Sequence, residues 1–187
     1  KGGKEFLNSM LGILLTTLFI FTSLALLFAP IFILIFAPGF YFDSQKQELA
    51  VSLLRIMFPY LALISLVAFA AGIQNSHDKF SIPAITPLIF NLCLIGSAWL
   101  IAPNVKIPVI ALAWGVLLAG VLQLIFQLAP LAAIKKIPLP EINFKNAGVK
   151  KFFILILPAL IAGGIAQINL LVDTIFASLL VTGSPTW

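Results

Sequence analysis

Five stretches of this chain stay apolar for longer than a helix in a globular core needs, and short polar turns separate them. They run from about Leu11 to Ala37, Leu49 to Gln74, Pro83 to Ala102, Pro108 to Leu131 and Phe152 to Val181. Crossing about 30 Å of hydrocarbon takes roughly 20 residues of helix, and each run reaches that length. Backbone amides in lipid have no water to bond, so such runs must pair internally, as helices. Barrel strands would be about 10 residues long and alternating, which these are not. The fold class expected is an all-α membrane protein with about five transmembrane helices. Composition agrees: 61% of the 187 residues are hydrophobic and 9% charged, against roughly half and a quarter in soluble domains. So many apolar and aromatic side chains also exclude a disordered chain.

The basic residues set an expected orientation. Alternating the five spans divides the loops into two sets. One holds eight lysines: Lys1, Lys4, Lys79, Lys135, Lys136, Lys145, Lys150 and Lys151. The other holds two, Lys46 and Lys106, and Arg55 lies within a span. The lysine-rich set belongs in the cytoplasm, so the N-terminus is expected inside and the C-terminus outside. The formal charge of +5 then reflects topology, and no nucleic-acid partner is read from it. The longest polar stretch, 132–151, is the best boundary between structural lobes; its plainer reading is an ordinary cytoplasmic loop, and a lipid-headgroup patch is a weaker one. The chain lacks an initiator Met, and Trp187 directly follows a span. A piece of a longer protein is therefore expected.

No phosphate-cradling glycine loop, H-E-x-x-H or metal-spaced Cys/His cluster occurs, so no catalytic residues, metal or cofactor are read. His77 sits beside Asp78 in a polar loop and reads as solvated. Cys93, the single cysteine, reads as a small packing residue.

Asp173 is the sharpest signal. It lies in the fifth span, roughly 12 Å from the outer end at the helical rise. A carboxylate facing lipid there costs several kcal/mol, at about 3 kcal/mol on insertion scales, so it should face protein or a wet cavity. Helical steps place Asn169, Ala166, Ala162 and Ala177 on the same small, polar face. That face reads as a cation or proton site, with Asp173 the charged ligand and Asn169 and Thr174 neutral donors. A structural carboxylate paired with a basic group or backbone is the alternative.

Arg55 reads either as a side chain reaching back to the outer interface or as a cavity cation for a phosphate. Pro59 removes the helical partner of the Arg55 carbonyl, so a bend is expected there. Asn91, Gln123 and Gln127 are polar groups within spans; bonding between helices is the first reading and substrate contact the second. Pro59, Pro87, Pro158 and the Gly163-Gly164 pair are candidate hinges, the glycines marking a flexible or close-packed segment.

Several strings in order resemble one family. They are Phe28-Ala29-Pro30 with Ala37-Pro38-Gly39-Phe40, Arg55-Ile56-Met57-Phe58-Pro59-Tyr60, and Gly72-Ile73-Gln74-Asn75. Then follow Phe80-Ser81-Ile82-Pro83-Ala84, Ala111-Leu112-Ala113-Trp114-Gly115, Gly120-Val121-Leu122-Gln123-Leu124, and Gln167-Ile168-Asn169-Leu170-Leu171-Val172-Asp173-Thr174. Together they resemble the MviN/MurJ family, flippases of lipid II, the undecaprenyl-linked peptidoglycan precursor. The ending Gly183-Ser184-Pro185-Thr186-Trp187 departs from the family's usual Gly-Ser-Val-Ser-Trp.

The resemblance implies a two-lobed exporter bundle in the bacterial cytoplasmic membrane, of which this chain supplies the third through seventh helices. Residues 1–131 then complete the N-terminal lobe, 132–151 form the cytoplasmic inter-lobe linker, and 152–187 open the C-terminal lobe. It also implies alternating access without nucleotide hydrolysis, Na+ or H+ coupling at Asp173, and no enzymatic reaction. The implied partners are the lipid-linked precursor, membrane lipids and the remaining helices. Alternatives are an exporter of another lipid-linked saccharide or of drugs, and a non-transporting structural fragment.

Overall fold

A computed structural model describes residues 2–133 and 137–180. The expected ending from Gly183 to Trp187, and Lys1, Lys135 and Lys136, lie outside the described residues. The described residues form helices and no strands: α1 (Gly2–Leu27), α2 (Ala29–Phe36), α3 (Ser44–Met57), α4 (Pro59–Asn75), α5 (Ser81–Gly96), α6 (Pro108–Ala133) and α7 (Ala147–Leu179). A 3-10 turn at Pro38–Phe42 joins α2 to α3, and a π-helical stretch, Ser97–Ile101, extends α5. Five helical spans are long and apolar enough to cross a membrane: Gly2–Leu27, Ser44–Asn75, Ser81–Asn104, Pro108–Ala133 and Ala147–Leu179. The all-α, five-span expectation holds.

Helices overrun the apolar runs at both kinds of end. α1 begins at Gly2, nine residues before the first apolar run at Leu11, because Lys4, Glu5 and Asn8 tolerate helix as well as loop. α7 begins at Ala147, so Lys150 and Lys151, expected in the linker, lie in helix. Asn146 starts it: its side-chain oxygen accepts from Gly148 N–H (2.9 Å) and Val149 N–H (3.4 Å), satisfying two free amides of the first turn.

Two prolines break helices and three do not. Pro30 opens α2 after a break at Phe28, and Pro59 opens α4 after one at Phe58; each sits in the first turn, where its missing N–H is no loss. Pro87, Pro130 and Pro158 lie inside continuous α5, α6 and α7. After the C-terminal end of α4, Asp78 takes φ 58°, and Lys79 N–H reaches the Gln74 carbonyl at 3.0 Å. That left-handed residue closes the helix where glycine is usual.

The chain divides into two compact units, residues 1–52 with 138–187, and Leu53–Ile137. In the second, α6 packs against both α4 and α5. Small residues permit this: Ala111, Ala113 and Ala119 are buried, and a methyl on Gly115 would lie 2.3 Å from Ser97 Oγ. One on Gly120 would lie 2.8 Å from Tyr60 Cδ2, while Tyr60 packs on Phe90 with ring centroids 5.6 Å apart.

In the first unit α7 is tied to its neighbours near both ends. At one end the extended segment 137–143 lies on α1. Leu139 N–H donates to Asn8 Oδ1 (3.0 Å) and Glu141 N–H to the Asn8 carbonyl (3.1 Å). Gly12 makes room: a methyl there would lie 2.3 Å from the Glu141 carbonyl oxygen. At the other end Gly39 N–H donates to Ser178 Oγ at 3.2 Å, and a Gly39 methyl would meet the Ser178 carbonyl oxygen at 1.8 Å.

Candidate functional site: a polar face on α7 and a buried amide node

Asn169, Asp173 and Thr174 all lie on α7 and are exposed on this chain. Asn169 and Asp173 are one helical turn apart and share a face. The Thr174 hydroxyl donates back to the Leu170 carbonyl at 2.8 Å, which leaves its lone pairs available to a ligand. Beside them a groove of about 340 Å³ is lined by Phe36, Gln167, Ile168, Leu170, Leu171 and Thr174. The groove is apolar apart from Gln167 and Thr174. Among the described residues no three His, Cys, Asp or Glu side chains come together as a metal cluster would require. Among the described residues, then, the face offers one carboxylate, one amide and one hydroxyl.

The hinge candidates fall into two kinds. Pro59 stands at a real break, four residues after the exposed Arg55. Pro158 and Gly163-Gly164 lie within unbroken helix. A methyl on either glycine would meet nothing within 4 Å, so the close-packed reading of that pair does not apply within the described residues. Pro87 lies inside α5 beside the buried Thr86.

The other polar candidates separate sharply. Asn91 is exposed on α5. Gln123 and Gln127 are 2% and 0% exposed and meet two residues that the sequence did not single out, Gln74 and Thr86. Gln74 Nε2 donates to the Gln127 carbonyl (2.9 Å) and side-chain oxygen. Gln127 Nε2 donates to Thr86 Oγ1 at 2.6 Å, and Gln123 Nε2 to the Thr86 carbonyl at 3.0 Å. The Thr86 hydroxyl donates to the Ile82 carbonyl at 3.3 Å. One polar thread thus crosses α4, α6 and α5. Its sequence signal was neutral polar residues within about two turns of one end of three spans, Gln74 at the very end of its own. Within one helix that pattern is silent.

Two loop groups complete the picture. His77 Nδ1 lies 2.9 Å from the Ile73 carbonyl and is exposed. Asp43 caps α3, accepting from Lys46 N–H at 3.1 Å, with Lys46 Nζ 3.3 Å away. The Lys46 amide bond is the main reason its carboxyl sits below the usual range.

Comparison with known proteins matches the whole chain, residues 1–187, to the family described as lipid II flippase MurJ. A probable lipid II flippase MurJ of Buchnera aphidicola subsp. Acyrthosiphon pisum is 39% identical over 187 residues, covering 100% of this chain and 37% of the relative. The lipid II flippase MurJ of Burkholderia cenocepacia is 36% identical, covering 98% of the chain and 36% of the relative. A probable lipid II flippase MurJ of Haemophilus influenzae is 35% identical, covering 98% and 38%. The chain therefore spans a little over a third of these relatives' length. Five apolar spans and an unbroken match along them lead to one conclusion: this chain, a multi-pass bacterial membrane protein segment, belongs to the MurJ lipid II flippase family.

Proposed function

We propose that this chain is the part of a lipid II flippase that completes one helical lobe and opens the next, moving the precursor from the inner to the outer leaflet by alternating access. The observation that carries this is the family match over residues 1–187, in register with five spans read independently from hydropathy. The relatives' names supply the cargo class, a lipid-linked peptidoglycan precursor. Eight lysines against two favour an inner N-terminus and an outer C-terminus in the cytoplasmic membrane.

Within that reading Asp173 is the coupling residue. A carboxyl group exposed on a lipid-crossing helix needs a partner. Na+ or H+ bound at Asp173, with Asn169 and Thr174 as neutral oxygen donors, meets that need, and helices beyond this segment supply the remaining ligands. The cycle transports and breaks no covalent bond. The test is flipping of labelled lipid II by the full-length protein in vesicles, with and without a sodium or proton gradient. Asp173→Asn is expected to abolish the gradient's effect while leaving insertion and folding intact. Unchanged flipping with unchanged ion dependence sinks the coupling assignment, and no flipping by the parent protein sinks the transport assignment.

A further inference from the structure

Inside the α4–α5–α6 packing, acceptor oxygens outnumber the donors aimed at them. Gln74 and Gln123 are 0% and 2% exposed, yet no donor among the described residues reaches the side-chain oxygen of either. Their nitrogens are committed, Gln74 to Gln127 and Gln123 to Thr86, so turning either amide over exchanges one loss for another. The Thr86 hydroxyl is spent on Ile82. An unpaired acceptor sealed from water costs free energy comparable to a lost hydrogen bond, and lipid offers no donor in its place.

We propose that this node is a binding site for a small hydrogen-bond donor and that its occupant is water, bonded to Gln74 Oε1 and Gln123 Oε1. Water brings two O–H donors, and buried waters characteristically make two to four bonds to groups left otherwise unpaired. A cation fits less well. The lining is amides, a hydroxyl and backbone carbonyls without a carboxylate, and a buried charge is far costlier than a buried dipole unless it is paired. The site uses neither α7 nor Asp173, so it stands independently of the coupling assignment. Its effect is to key three helices into one block through hydrogen bonds that none of them satisfies alone.

The experiment is a density map of the full-length protein fine enough to show ordered water. The expected result is a peak about 2.6–3.2 Å from Gln74 Oε1 or Gln123 Oε1. Thermal unfolding of Gln123→Met supplies the second reading. The Thr86 carbonyl keeps its partner within α5, so the variant strands no protein group. If water bonds the Gln123 oxygen, its loss lowers Tm by about 2–6 °C. In a dry node the same change removes an uncompensated acceptor, which offsets the lost bond from Gln123 Nε2 to the Thr86 carbonyl, and Tm stays level or rises. Replacing sodium by choline tests the other occupant: a parent Tm that depends on sodium, with the dependence lost in Gln123→Met, overturns the water assignment. A map without a peak at either oxygen, or a level or raised Tm in Gln123→Met, overturns the site.

Discussion

α6 and α7 are nearly equal in mean hydropathy, 2.4 and 2.1, yet 39% of the most apolar stretch of α6 is buried and none of that of α7. The difference lies in what interrupts the leucines. α6 carries Ala111, Gly115, Ala119 and Gly120 toward its neighbours, with Gln123 and Gln127 on buried positions. In lipid, close backbone approach and interhelical hydrogen bonds hold helices together, since hydrocarbon solvates leucine as well as protein does. α7 also has small and polar residues, but among the described residues a methyl on Gly163 or Gly164 would meet nothing within 4 Å, and Asn169 and Asp173 are exposed. Equal greasiness thus goes with two different settings: α6 packs into one compact unit through small and polar residues, and the small and polar residues of α7 are exposed among the described residues.

That contrast can be broken by substitution. The largest effect is expected from Gln127→Leu on α6, which leaves one N–H of the buried Gln74 amide without its acceptor, the Gln127 carbonyl still holding the other, and removes the donor to Thr86. A loss of about 2–4 kcal/mol is expected, at about 1–3 kcal/mol per stranded group, measured by thermal or denaturant unfolding of the full-length protein in detergent. Asn169→Leu on α7 is expected to leave that stability within about 1 kcal/mol and to weaken ion-dependent flipping. Equal destabilisation by both would erase the distinction. Gly115→Ala comes next, at about 1–3 kcal/mol for overpacking against Ser97. Its counterpart Gly163→Ala, in open helix, is expected to stabilise by about 0.5–1 kcal/mol; a loss there would show that a neighbouring helix needs that glycine.

Asn8→Ala tests one of the ties of α7. Removing the acceptor for Leu139 N–H is expected to cost about 0.5–1.5 kcal/mol and to speed proteolysis within 137–145, while cleavage of the 75–81 loop stays unchanged. The smallest effect concerns Asp43. Its carboxyl is depressed in the folded state, so the stabilisation of α3 is present at neutral pH and lost as pH falls through the folded value, below the ordinary 3.8. Asp43→Asn keeps a capping side chain without the titration. Parent and variant should therefore differ near pH 7 and converge as pH falls through the folded value; a constant difference would remove the titration from the account.

The spans were legible because length and hydropathy suffice to find a membrane helix, whatever its partners. Helix ends were less so: Lys4, Glu5, Lys150 and Lys151 look like loop and lie in helix, since polarity ends an apolar run before hydrogen bonding ends a helix. At the candidate sites, Asp173 stood out because one charge in a greasy run is conspicuous. Gln74 and Thr86 did not, because what makes them matter is a match of depth across three helices, which a pattern along one helix cannot contain. The tie of 139–141 to Asn8 was invisible for a further reason: the donors are main-chain amides, which every residue but proline has.

The meeting of Gly39 with Ser178 has a mechanical consequence. With no side chain at position 39, the main chain there comes up against that of Ser178, and its N–H donates to the Ser178 hydroxyl. Interlocked leucines would have to unmesh, rotamer by rotamer, before such surfaces could separate. Glycine has no rotamer to rearrange, so this one contact can part and re-form without a change of side-chain conformation at position 39.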